Sequence, residues 1–150
     1  MSRMTDFTVP STVPGRTLHA FCCEPEGEVR AVLQLSHGMV EFIDRYKPLA
    51  EYLAGQGIVV VGHDHLGHGG SIRTKADYGY FAEPDGNRAV LDDVQAMTLR
   101  TKARYPGVPY FLLGHSMGSF YARQYLCEYG QELSGAIIMG TGHQPKALVQ

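Results

Sequence analysis

No apolar stretch of the 150-residue sequence approaches the roughly 20 residues that a membrane-spanning helix needs. The first segment, Met1 to Ser11, is polar and lacks the apolar core of a secretion signal. Cysteine is sparse: Cys22, Cys23 and Cys127, an odd number without metal-like spacing. Neighbours on a strand point to opposite faces, so Cys22 and Cys23 are poor disulfide partners. This usage suits a reducing compartment, and a cytoplasmic location is expected. Basic residues are neither abundant nor clustered. With 13 Lys and Arg against 15 Asp and Glu the net charge is -2. A nucleic-acid partner is therefore not expected, because phosphate binding needs clustered cations. Repeats, low-complexity tracts and linkers are also missing, so the chain reads as one domain.

What is present is an alternation of short apolar runs and helical stripes. Leu18 to Cys23 reads as a strand closed by the turn Glu24-Pro25-Glu26-Gly27. Ala31 to Leu35, Ile58 to Val61, Tyr110 to Leu113 and Ala136 to Met139 are continuous apolar runs. Such runs suit strands buried on both faces of a parallel sheet. Between them, Tyr46, Leu49, Ala50 and Leu53 recur at helical spacing, and Gly55 and Gly57 end that helix. A second helix is expected from about Arg88 to Tyr105, with Val90, Val94, Met97 and Thr101 on one stripe and Pro106-Gly107 as its stop. A third runs from about Met117 to Tyr129, with Tyr121, Tyr125 and Tyr129 one turn apart as core packing. Arg88, Asp92, Asp93, Arg100, Lys102 and Arg104 are expected to be solvated, and His19 an ordinary strand residue. Strands alternating with helices give an α/β fold, built from right-handed βαβ units with helices on both faces.

The sequence Gly114-His115-Ser116-Met117-Gly118 stands between a strand and a helix. A G-x-S-x-G turn in that context is a nucleophile elbow, with the serine on strained backbone and glycines where flanking side chains would collide. The N–H groups that open the following helix suit a developing oxyanion. Ser116 is therefore the expected nucleophile. Ser36-His37-Gly38-Met39 also ends a strand. The backbone N–H of Met39 and that of Met117 are the expected oxyanion-hole pair, with His37 holding the loop.

Four segments carry a family resemblance. His37-Gly38-Met39-Val40-Glu41 followed by Arg45-Tyr46 resembles the oxyanion loop of monoacylglycerol lipases and related lysophospholipases. Asp64-His65-Leu66-Gly67-His68-Gly69-Gly70-Ser71 is similar to the D-x-x-G-x-G-x-S turn of that family. Asp77-Tyr78-Gly79-Tyr80-Phe81 and Gly114-His115-Ser116-Met117-Gly118 match its later signatures. The resemblance covers Leu18 to Gly142 in the family's order. It implies the α/β-hydrolase fold with a mostly parallel sheet, and a serine carboxylic-ester hydrolase. The implied substrates are monoacylglycerols, lysophospholipids or similar acyl esters. No cofactor is expected; transient contact with a lipid surface is.

The family's acid and histidine follow the nucleophile in the order Ser, Asp, His. After Ser116 this sequence has only Glu128, Glu132 and His143, and no Asp. His143 lies where the resemblance places the start of a lid, and it is not assigned a catalytic role. The expectation is an α/β-hydrolase domain truncated after its central strands, whose lid and C-terminal portion lie outside this chain. Two other readings compete. His63, His65 and His68 have the H-x-H-x-x-H spacing of a metallohydrolase, although Gly67 stands where that pattern wants an acid. A catalytically incomplete hydrolase fold can also serve as a binding module.

Overall fold

Residues 2–145 are described by the computed structural model. The elements are β1 (Ser2–Pro10), β2 (Thr17–Pro25), β3 (Ala31–Ser36), α1 (Lys47–Ala54), β4 (Ile58–His63), α2 (Gly86–Arg104), β5 (Tyr110–His115), α3 (Met117–Tyr129) and β6 (Gly135–Met139). Short 3₁₀ turns cover Ile43–Tyr46, Lys75–Asp77 and Gly130–Glu132. The strands form one sheet in the order β1-β2-β4-β3-β5-β6. The β1–β2 and β2–β4 pairs are antiparallel, and β4, β3, β5 and β6 run parallel. Each run expected to be a strand is one.

The central strands are apolar on both sides because both sides are covered. On β5, Leu113 joins Phe21, Cys23, Leu33, Leu35 and Val60 against Ile43, Ala50 and Ala54 of the α1 side. Its neighbour Leu112 packs with Val90, Leu91, Val94, Tyr121, Ala122 and Tyr125 on the α2–α3 side. Tyr110 joins that same side through Val32, Val59, Val61 and Met97. The expected α2 stripe of Val90, Val94, Met97 and Thr101 is buried throughout. Each buried Val, Leu or Met side chain contributes about 1.5–3 kcal/mol. One polar group crosses this core with both ends of its amide hydrogen-bonded: Gln34 donates to Val94 O and accepts from the Thr98 and Tyr110 hydroxyls. Cys22 and Cys23 are free thiols on opposite faces, in two different core clusters.

Two details differ from the sequence reading. The polar segment before Ser11 is the edge strand β1, paired with β2 from Ser2↔Pro25 to Pro10↔Thr17. Asp93 is buried rather than solvated. It accepts from the Ser11 hydroxyl and from the Thr12 N–H and hydroxyl, and so ties the end of β1 to α2. His19 does sit on β2, and its Nε2 is 3.0 Å from Asp44 Oδ1. At the other border of the sheet β6 has no neighbour beyond β5 among the described residues.

Candidate active site

Ser116 is the residue between β5 and α3, with φ 53° and ψ -118°. A non-glycine residue at positive φ carries backbone strain, of the order of 1–3 kcal/mol. That strain is held by close packing at the two flanking glycines. A β-carbon at Gly118 would lie 2.0 Å from Ser36 O, and one at Gly114 would lie 2.3 Å from Gly118 O. The sequence expectation that these positions exclude side chains is met for this steric reason. The backbone N–H of Ser116 donates to Met139 O of β6 (2.9 Å), and the Ser119 hydroxyl donates to Ser116 O. The Ser116 hydroxyl itself has no hydrogen-bond partner among the described residues.

The loop after β3 lies directly against this elbow. A β-carbon at Gly38 would meet Ser116 Cβ at 3.0 Å and His115 O at 3.2 Å. Two side chains fix the loop. His37, fully buried, accepts at Nε2 from the backbone N–H of His65, so its proton is on Nδ1 and donates to Gly38 O (2.7 Å). Burial lowers its pKa, and the imidazole is neutral. The 3.9 Å approach of its Nε2 to Asp64 is therefore not an ion pair. A trans peptide points its C=O and N–H in opposite directions. With Gly38 O drawn to His37, the Met39 N–H faces away from that ring. Glu41 fixes the other end. Its Oε1 accepts from the Gly38 N–H (2.5 Å), the Tyr46 hydroxyl (2.8 Å) and His115 Nδ1 (3.1 Å), and its Oε2 from Arg45 (3.0 Å). Burial alone would raise the Glu41 pKa, but these donors outweigh it and hold the carboxyl below its ordinary value.

Asp64 anchors the same region from β4, accepting from the Ile43 and Gly70 N–H groups at 2.6 and 2.7 Å. His65 approaches the Ser36 hydroxyl at 3.0 Å, and His68 Nδ1 approaches Leu66 O at 3.0 Å. The rings of His37 and His65 lie tilted with centroids 4.4 Å apart, and those of His63 and His65 meet edge to face at 5.3 Å. These buried histidines form a layer against the loop after β3. Burial pushes His63 down to about 3 and His65 well below its ordinary value. The spacing that suggested a metal site does not make one. Among the described residues, the one group of His, Cys, Asp and Glu whose ligand atoms converge is Asp6, His19 and Asp44. There Lys47 Nζ already stands 2.7 Å from Asp6 and 3.2 Å from Asp44.

The structure thus brings Gly38 against Ser116, with Met39 on the loop after β3 and Met117 at the start of α3. His143 lies elsewhere, on an open groove beside α3 with Phe120, Arg123 and Cys127. Sequence reasoning placed Glu41 in a motif without a role. Its joining of Gly38 to His115 depends on a contact across 74 residues, which local spacing cannot show.

Residues 27–149 match the family described as serine aminopeptidase, S33. The chain belongs to that family. It is 35% identical to the monoglyceride lipase of Homo sapiens over 136 residues, which cover 87% of this chain and 42% of that protein. It is 37% identical to the monoglyceride lipase homolog of Monkeypox virus over 113 residues, 73% of this chain and 38% of that one. A thermostable carboxyl esterase from Bacillus coagulans, solved in complex with glycerol, superposes with a TM-score of 0.82 at 29% identity, covering 89% of this chain and 43% of the esterase. The S33 chain therefore has the α/β-hydrolase fold and is similar to monoacylglycerol lipases. It spans about two fifths of the length of the curated relatives it matches. No helix among its described residues is long and apolar enough to cross a membrane.

Proposed function

We propose that this chain is the nucleophile-bearing part of a serine hydrolase of monoacylglycerols, lysophospholipids or similar acyl esters. The observation that carries the reading is Ser116 on strained backbone at the start of α3, with Gly38 of a second loop against it. Ser116 Oγ attacks the ester carbonyl carbon, and the alcohol leaves as an acyl-enzyme forms. The Met39 and Met117 N–H groups hold the oxygen that becomes negative. A neutral serine hydroxyl is a weak nucleophile, and no histidine among the described residues bonds to it. The base and its orienting acid are supplied by residues outside this chain, which complete the domain. The reading is supported by similarity to lipases and esterases.

The test is turnover of monoacylglycerol and p-nitrophenyl esters by the complete protein and by Ser116→Ala. The variant should lose activity by on the order of 10⁴-fold while keeping its fold. Activity should survive EDTA and phenanthroline. Near-normal turnover by the variant contradicts the reading; loss on chelation, with zinc bound, returns it to His63, His65 and His68. Cleavage of aminoacyl anilides in place of esters would move the substrate class to peptides. Failure of Ser116 to react with a fluorophosphonate would favour a binding module.

A further inference from the structure

One residue of the oxyanion loop is out of keeping with its side chain. Val40 has φ 59°, in the left-handed region. For a β-branched residue this conformation is an outlier, because its Cβ crowds the following carbonyl. Packing does not compensate, since Val40 is 91% exposed. The left-handed turn is therefore imposed by the loop around Val40 and not by anything its side chain touches.

The residues able to impose it are the two anchors already described. His37 holds Gly38 O from below the loop, and Glu41, itself only 7% exposed, closes it from the other end. The Gly38 N–H reaches back over the turn to the Glu41 carboxylate, so residues 38 to 41 form a closed ring around Val40. Tyr46 and Arg45 fix that carboxylate to the 3₁₀ turn, and His115 fixes it to the residue before the nucleophile. One side chain thus joins the loop carrying Met39 to the elbow carrying Ser116.

We propose that Glu41 is a positioning residue: it holds the Gly38–Glu41 turn closed against the strain at Val40 and so sets the Met39 N–H relative to Ser116. The inference rests on the hydrolase reading above. Without the carboxylate the turn relaxes toward extended backbone at Val40, and the Gly38–Met39 peptide rotates with it. With glycine at position 40 the left-handed conformation carries no Cβ penalty, so the turn needs less holding. Glu41 and Val40 are therefore coupled in a direction that a merely structural glutamate would not produce.

The experiment is a double-mutant cycle in the complete enzyme on a p-nitrophenyl ester, with Ser116→Ala as control and folding followed by circular dichroism. Glu41→Ala should lower kcat by on the order of 10²-fold with KM little changed, the size of a lost oxyanion donor. Introduced together with Val40→Gly, the same change should lower kcat by no more than about tenfold relative to Val40→Gly alone. Glu41→Gln keeps an acceptor oxygen for the Gly38 N–H and should retain most of kcat. If Glu41→Ala does not fold, Tyr46→Phe removes one donor without opening the backbone. Its loss of about threefold should likewise shrink beside Val40→Gly. Equal losses in both backgrounds, or a loss confined to KM, overturn the proposal. Full activity of Ser116→Ala would instead overturn the hydrolase reading on which it rests.

Discussion

Steric necessity at single residues explains why the elbow reads so clearly in the sequence. Gly114 and Gly118 are excluded from having side chains by backbone and by Ala122, not by solvent or propensity. Gly118→Ala should therefore push α3 off the end of β3. It should destabilise by about 3 kcal/mol and abolish esterase activity in the complete protein, since overpacking against backbone cannot be relieved by a rotamer change. Urea unfolding checks this, and an unchanged midpoint contradicts the geometry. The turn at Ser116 and the loop-holding His37 were legible because each is local to a motif. Asp93 was not. Its position on a polar helix face reads as solvated, and its partners Ser11 and Thr12 are brought to it only by the packing of β1 on β2.

Elements were legible by the continuity of their apolar runs. The runs that became β3, β4 and β5 are continuous because helices cover both faces of the sheet, and β6 is as continuous although none of its residues is buried. The edge strand β1 shows only Met4, Phe7 and Val9 as apolar residues, and the rest of it is polar. The histidine layer between β4 and the loop after β3 was legible as a spacing but misleading as chemistry. Its consequence is acid lability. His63 and His65 have folded pKa values far below the ordinary 6.5, so the unfolded chain binds more protons as pH falls. Stability is complete above about pH 6.5 and is lost progressively below it. By pH 5 His63 should cost about 2 kcal/mol, and His65 adds to the loss in the same direction. The window from pH 6.5 to 5 lies above the carboxylate range, which separates this loss from that of Glu41 and Asp77. Unfolding midpoints measured in complete protein at pH 7.5, 6.5, 5.5 and 5.0 should fall in that order. A flat profile contradicts a neutral histidine layer.

For the whole molecule the account has two halves. The sheet ends on β6, where Ile137 and Met139 are 48% and 43% exposed. Beside it Leu33, Leu49, Leu53, Phe111, Leu113 and Ile137 line a groove of about 330 Å³ without polar surface. An uncovered apolar edge of this kind is a template for association. We therefore expect residues 1–150 alone to be inactive and to associate beyond the 16.5 kDa monomer in light scattering. A cooperative, active monomer would show that the domain is complete here and would bring His143 back as the candidate base. The other half is chemical, and it is tested most directly on the acyl-enzyme. The complete protein is mixed with a slow p-nitrophenyl ester, quenched in acid and mapped by peptide mass spectrometry. The account expects one acyl adduct on the peptide carrying Ser116, absent in Ser116→Ala. Turnover without an adduct, or with the acyl group on another residue, would contradict it.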